Sequence, residues 1–322
     1  MSKLVAVGLV IVVAAALLGG CSGSNNQTIF QWVLERVSYN QAATRLAFTS
    51  LGGNGVRYVY SITSNGGNLT LLTPTDNDAD LTDEGGKQPA WSPDGVDLAI
   101  VGRRGGTQAL FLIDPATGAG GRETLLTSDN VAVSGADAQP SWKADSSQLV
   151  YVSTKNSPTG RWEIHIINRA GTGDTLIART NDDNDAQWPV FSPDGTQIIY
   201  QSRIGNIGVD TSLRALNIAT GVTTPIGDTE GNNFREEGPS VVDPGTGPVV
   251  AFSSNRNGDF DIWNMNLDGT GAIARTDDAR SDGYPVWASN ASRIAFTRDN
   301  EVWSMAADGT DQKQLTERYQ SR

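Results

Sequence analysis

The side chains that most often do chemistry are scarce in this chain. Among 322 residues there is one histidine, His165, and one cysteine, Cys21. A single imidazole excludes multi-histidine metal centres, and a single thiol excludes an intrachain disulfide and a thiolate metal cluster. No Gly-x-Ser-x-Gly elbow, phosphate-binding glycine loop or His-Glu pair occurs. Carboxylates are plentiful, with 36 Asp and Glu against 24 Lys and Arg. Two carboxylates alone can hydrolyse a glycosidic bond, but nothing in the sequence singles out a pair. The formal net charge of -12 argues against a nucleic-acid partner, because phosphate binding needs clustered Lys and Arg.

The most suggestive placement lies just ahead of a recurring proline. Arg36, Gln88, Gln139, Trp188, Gly238 and Tyr284 occupy that position in six copies of one pattern. Slightly earlier stand acids that include Asp78, Asp137, Asp185, Glu236, Asp278 and Asp282. If the copies converge, these residues ring one opening. Aromatics beside a few polar groups suit an extended protein segment or a glycan. The candidate binding residues are therefore Trp188, Tyr284, Arg36, Gln88 and Gln139. Ca²⁺ takes six to eight oxygens, which carboxylates and backbone carbonyls can supply. Asp137, Asp185 and Asp282 are the candidate metal ligands, and Ca²⁺ is the one cofactor the pattern could accommodate. No EF-hand spacing is present, and Asp182-Asp183-Asn184-Asp185 resembles a Ca²⁺ loop only in composition. A solvated rim that binds nothing is the plainer reading of the same residues.

The elements that position these side chains come from repeats. A short apolar strand recurs as Arg45 to Phe48, Asp97 to Ile100, Gln148 to Tyr151, Gln197 to Tyr200, Val249 to Phe252 and Arg293 to Phe296. Ahead of it stand Pro89, Pro140, Pro189, Pro239 and Pro285, with Val37 in the first copy. Two residues after that position comes a large apolar residue: Tyr39, Trp91, Trp142, Phe191, Val241 or Trp287. A second strand follows, as in Asp261-Ile262-Trp263, and each copy closes at a threonine: Thr73, Thr127, Thr180, Thr229, Thr276 or Thr316. Asn-Gly and Asp-Gly pairs between strands supply the positive φ that tight hairpins need. Four short strands per copy cannot bury both faces of one sheet, whereas six sheets packed radially can. The expected fold is all-β, a six-bladed β-propeller of four-stranded antiparallel blades over residues 31–317, with a tail at 318–322. Ile29 to Leu34 is expected to add an edge strand to the last sheet or to lie across one face. The Ser-Pro-Asp-Gly turns at Ser92 and Ser192 read as structural, because Pro sets φ, Asp caps the turn and Gly takes the left-handed position. His165 stands where other copies have Trp263, Trp303, Phe111 and Tyr60, and reads as a packed substitute for an aromatic.

The first twenty residues read as an address. A basic head at Lys3, an apolar run from Leu4 to Leu18 and small residues at Gly19-Gly20 describe a secretory signal. The run is short for a membrane span, which needs about 20 residues. Leu18-Gly19-Gly20-Cys21 resembles a bacterial lipobox. That resemblance implies cleavage before Cys21, lipidation of its sulfur and a flexible tether over residues 21–30. Ser22 is not the Asp of an inner-membrane retention signal, so an outer-membrane anchor is expected, on the periplasmic or the surface face. An uncut signal anchor is the alternative.

The run Trp91-Ser92-Pro93-Asp94-Gly95, its copy Phe191-Ser192-Pro193-Asp194-Gly195, the stretch Asp261-Ile262-Trp263 and the closing Leu315-Thr316 together resemble the Pro-Asp repeat of TolB-type propellers. The resemblance covers residues 36 to 317 and is specific for fold. Two departures from TolB itself stand out: no α/β pattern precedes the repeats, and a lipid anchor is expected. It therefore implies a propeller scaffold and not a direct Tol–Pal role. The functional expectation is a non-enzymatic, monomeric cell-envelope lipoprotein that touches the membrane only through its anchor. Its channel mouth would bind an envelope protein or polysaccharide. The alternative is a carbohydrate-active enzyme, a polysaccharide lyase or glycosidase, with its site in the same mouth, since some related propellers degrade polysaccharides.

Overall fold

Alternation of apolar strands with tight turns makes each repeat a meander. The computed structural model describes residues 33–51, 57–73, 86–104, 107–117, 123–127, 136–155, 157–178, 184–204, 211–227 and 234–316. Every repeat is one antiparallel sheet of four strands in chain order, giving six sheets. The fifth is representative: Glu236–Val242, Val249–Ser254, Asp261–Asn266 and Ile273–Ala274. The first strands of the six sheets are Val33–Tyr39, Lys87–Trp91, Asp137–Trp142, Asn184–Phe191, Glu236–Val242 and Asp282–Trp287. They pack on one another in chain order, and the first packs on the sixth. The sheets are thus the blades of a closed propeller, with these first strands innermost. Among the described residues no helix is long and apolar enough to cross a membrane.

Ring closure differs from the expectation. Val33 and Leu34 pair with Ser50 and Thr49 of the first blade, not with the last sheet; Ile29 to Trp32 lie outside the described residues. Each blade already owns four strands, so no strand is left to exchange. The seam is closed by side chains instead. Val37, Tyr39, Leu46 and Phe48 of blade 1 share a core with Ala288, Ala295, Val302 and Leu315 of blade 6. Ser289 Oγ also donates to the Gln41 carbonyl at 2.6 Å across this seam.

The large residue two after the proline position wedges between blades. Trp142 of blade 3 packs among Val101, Leu110 and Leu112 of blade 2. Trp287 of blade 6 packs among Ala251 and Ile262 of blade 5. A buried Trp removes up to about 250 Å² from water, worth roughly 6 kcal/mol gross at about 25 cal/mol/Å². The closing threonines also have a physical reason. Thr73, Thr127, Thr276 and Thr316 Oγ1 accept the N–H groups of Val59, Leu110, Ile262 and Val302 at 2.9 to 3.0 Å. The hydroxyl takes over where the short fourth strand has run out. Thr180 and Thr229 lie outside the described residues.

The Ser-Pro-Asp-Gly turns behave as expected. Ser192 Oγ donates to Asp194 Oδ1 at 2.5 Å and accepts the Gln197 N–H at 3.0 Å, and Gly195 has φ +69°. His165 pairs opposite Tyr151 in the strand ladder, with ring centroids 5.4 Å apart. Its Nδ1 lies 3.1 Å from Asp174 Oδ1, which also accepts the Tyr151 hydroxyl at 2.8 Å. The lone histidine sits in the aromatic register of its blade, away from the inner strands.

Candidate binding site in the propeller channel

The residues ahead of the prolines form a layer inside the channel. Every inner strand shifts register against its neighbour at this point. Proline belongs at such bulges, since it has no N–H for the ladder. The residue before it bends into the left-handed region: Gln88 at φ +52°, Gln139 at +56°, Trp188 at +52°, Gly238 at +59° and Tyr284 at +50°. This conformation turns each freed N–H toward the preceding blade. Gln88 N donates to Thr49 Oγ1, Gln139 N to Gln88 Oε1 and Trp188 N to Gln139 Oε1, at 3.0, 2.8 and 2.6 Å. Gly238 N donates to Gln201 Oε1 at 3.2 Å and Tyr284 N to Ser253 Oγ at 3.1 Å. The five links form a belt that locks blade to blade.

This belt spends the side-chain oxygens of Gln88 and Gln139 on neighbouring backbone. Trp188 and Tyr284 come together, with ring centroids 5.2 Å apart at 60°. A Cβ on Gly238, between them in chain order, would meet Tyr284 Cδ1 at an ordinary contact distance of 3.4 Å. Trp188 is only 7 % exposed. The two aromatics therefore pack on each other at the level of the belt. Arg36 falls on the inner strand of blade 1, and its side chain lies outside the described residues, as do Cys21, Asp78, Asp80 and Asp183.

The carboxylates at the start of the inner strands do not converge. Asp137 Oδ2 accepts from Lys155 Nζ at 2.7 Å and Oδ1 from Ser153 Oγ at 2.6 Å. Glu236 Oε1 accepts from Arg256 Nη2 at 2.6 Å. Asp282 receives Arg298 Nε and Nη2 at 2.6 Å each, a two-pronged pair with both side chains buried. Burial pushes the Asp282 carboxyl up, and the guanidinium pulls it back. Asp185 Oδ1 accepts the Trp162 N–H at 3.0 Å. Each acid is held by its own partner. Among the described residues no group of three or more His, Cys, Asp or Glu side chains is placed to hold a metal.

On the other side of the belt the channel opens into a cavity of about 200 Å³. All six blades line it. The positions just after the prolines supply Ser38, Ala90, Ser141, Val190, Ser240 and Val286. Behind them stand the wedges Tyr39, Trp91, Trp142, Phe191 and Trp287. The outer lip is Asn40, Gln41, Pro93 and Ser289, residues of the turns that follow the inner strands. No lining residue is charged. Two serines are already used between blades: Ser38 Oγ accepts the Trp91 N–H and Ser240 Oγ the Trp287 N–H, at 2.9 and 3.0 Å.

Around this neutral cavity the turns carry acids. Asp94, Asp145 and Asp194 occupy equivalent places after the inner strands of blades 2 to 4, and Asp243 stands one position earlier in blade 5; all four are exposed. Burial is the largest single influence on the Asp94 pKa and raises it, but hydrogen bonds from Ser92, Arg169 and the Val96 N–H, with the Arg169 charge, together outweigh it and hold the pKa at about 2. Hydrogen bonds from Ser147 and Ser192 likewise hold Asp145 and Asp194 below the usual carboxylate range. Arg169 of blade 3 pairs with both Asp94 and Asp97 of blade 2, and Lys143 Nζ lies 3.3 Å from Asp145. Reading Asp94 and Asp194 only as turn residues left out that their carboxylates are exposed beside this cavity. In Asp94 and Asp194 one oxygen, Oδ1, takes the hydrogen bonds that build the turn. The sequence signal was the run of small residues immediately after the proline position.

The architecture can be compared with known proteins. No family model matches the chain. An uncharacterised protein of Agrobacterium fabrum is 24% identical over 225 residues, 68% of each chain. The structure of a putative TolB from Agrobacterium tumefaciens superposes with a TM-score of 0.56 at 22% identity, over 70% of this chain and 79% of that one. TolB from Acinetobacter baumannii gives 0.60 at 16%, over 79% of this chain and 57% of that one. The fold is that of the TolB-type propellers. An oligogalacturonate lyase in complex with manganese shares it too, with a TM-score of 0.59 at 14% identity over 89% of this chain and 77% of that one. The TolB-type fold is therefore common to proteins of different function.

Proposed function

We propose that this protein is a non-enzymatic scaffold of the bacterial envelope, anchored through a lipid on Cys21, and that it binds an extended protein segment in the turn-side cavity. The observation that carries the reading is the cavity itself: uncharged, aromatic-walled, built by all six blades and ringed by carboxylates. The inserted residues would be small or apolar. Lys or Arg would flank them and meet Asp194 and Asp243 first, since Asp94 and Asp145 already face Arg169 and Lys143. Collar charges of this kind contribute more to on-rate and register than to affinity.

The cavity is smaller than the roughly 300–1,000 Å³ of common small-molecule sites, which suits the tip of a chain better than an oligosaccharide. An anionic uronate would find no cation in the cavity lining, which weighs against the lyase alternative. Trp188, Tyr284, Gln88 and Gln139 then act as the floor that fixes the cavity, not as its contact surface. Ca²⁺ is not needed for this reading.

The test is a panel of twelve-residue peptides with one uncharged core and Lys, Gln or Glu flanks, titrated against wild type and Ser141→Trp. Lys-flanked peptides should bind tightest, and the variant, whose indole fills the cavity, should lose them. Binding unaffected by Ser141→Trp, or tightest for Glu flanks, would remove the cavity from the reading.

A further inference from the structure

We propose that the propeller rides on its membrane with one defined face down. The face where the chain crosses from blade to blade meets the lipid, and the turn face with its cavity points away. The inference rests on the lipid anchor at Cys21 proposed above.

The first observation is where the chain enters. Val33 begins the inner strand of blade 1 and pairs with Ser50, near the end of the second strand. That end of the blade is the crossover side. Because the strand is innermost, the tether attaches beside the propeller axis and not at its rim.

The second observation is reach. From Cys21 to Val33 the chain can span at most about 43 Å when fully stretched, at 3.3 to 3.6 Å per residue. A relaxed flexible chain of that length averages about 20 Å end to end. To lay the turn face on the membrane, the tether would have to cross half the crossover face and descend the rim. Four strands at about 4.8 Å spacing, plus the channel, make a radius of roughly 20 Å, and seven-residue strands make a blade about 23 Å deep. The path of about 43 Å demands a taut tether, whereas the opposite orientation leaves it relaxed.

The experiment uses the full-length lipidated protein, whose only native cysteine is the acylated one. A single cysteine is introduced at Asn257→Cys, exposed on the crossover side, or at Thr196→Cys, exposed on the turn side. Each is labelled with a fluorophore and the protein is reconstituted on phosphatidylethanolamine–phosphatidylglycerol vesicles that carry a nitroxide headgroup quencher. Quenching should be at least twofold stronger at residue 257 than at 196. Equal quenching, or stronger quenching at 196, overturns the orientation while leaving the anchor standing. A protein that fails to float with the vesicles overturns the anchor and the orientation together.

Discussion

Asp282→Asn is the perturbation whose size the structure determines most directly. The Asp282 carboxylate takes both prongs of Arg298 at 2.6 Å, and the two side chains are 0 % and 1 % exposed. Neutralising the acid leaves a guanidinium that can neither reach water nor lose its charge. Breaking one side of a buried pair costs about 3–5 kcal/mol. The lower end applies here, because Arg298 keeps Asp278 Oδ2 at 3.2 Å, Gln312 Oε1 at 2.9 Å and the ring faces of Phe296 and Trp303 at 5.1 and 5.0 Å. We expect a loss of about 3 kcal/mol in urea unfolding followed by tryptophan fluorescence. Asp282 is two residues from Tyr284, so the near-ultraviolet dichroism of the Trp188–Tyr284 pair should weaken as well. Replacing both partners by apolar residues, Asp282→Leu with Arg298→Met, should recover stability to within about 1 kcal/mol of wild type. A single-variant loss below about 1 kcal/mol, or a double variant worse than the single, would refute the reasoning.

Three further substitutions probe other parts of the account. Asp261 is 3 % exposed; burial first, and then Asp282, Asp277 and Asp278, push its pKa up to about 6. A folded pKa above the unfolded one gives stability that is complete below about pH 4 and is lost as pH rises through about 6. Asp261→Asn should therefore match wild type near pH 4 and exceed it by about 3 kcal/mol at pH 8, and thermal melts that coincide at pH 8 would contradict this. Gln139→Leu removes the acceptor of the Trp188 N–H and should cost about 1–3 kcal/mol in urea, while Gln139→Glu, which keeps an acceptor, should cost less; equal losses would argue against the belt. Thr127→Val preserves shape but orphans the Leu110 N–H, and should cost about 1–2 kcal/mol on the same measurement, where a neutral result would leave the repeated closing threonine without its reason.

Much of the fold could be read from residue pattern because its causes are local. Two-residue turns need Asn-Gly or Asp-Gly, a strand covered on both sides needs an apolar run such as Gln197 to Tyr200, and a wedge needs a bulky residue at one register. The closing threonine was visible as a repeat, and its hydroxyl acceptor role follows from the short fourth strand. The site was less legible because its causes are not local. The belt joins oxygens from different positions, Thr49, Gln88, Gln139, Gln201 and Ser253, to one repeated N–H, so no spacing announces it. The acids before the prolines looked like an open rim. Their cations lie in or just past the second strand, as with Asp137 and Lys155 or Asp282 and Arg298, and only pairing of the strands brings them together. The cavity was hidden by modest residues: serine, alanine and valine after a proline carry no chemical signature until six copies face one another.

The most direct test of the central claim is photocrosslinking in living cells of the host. Benzoylphenylalanine would replace Gln41, exposed at the cavity lip, and separately Val222, which is 57 % exposed and does not line the cavity. The account predicts a discrete protein adduct from position 41 and none from 222, with the crosslinked peptide mapping to an uncharged stretch flanked by Lys or Arg. No protein adduct from position 41, or the same adducts from both positions, would contradict it.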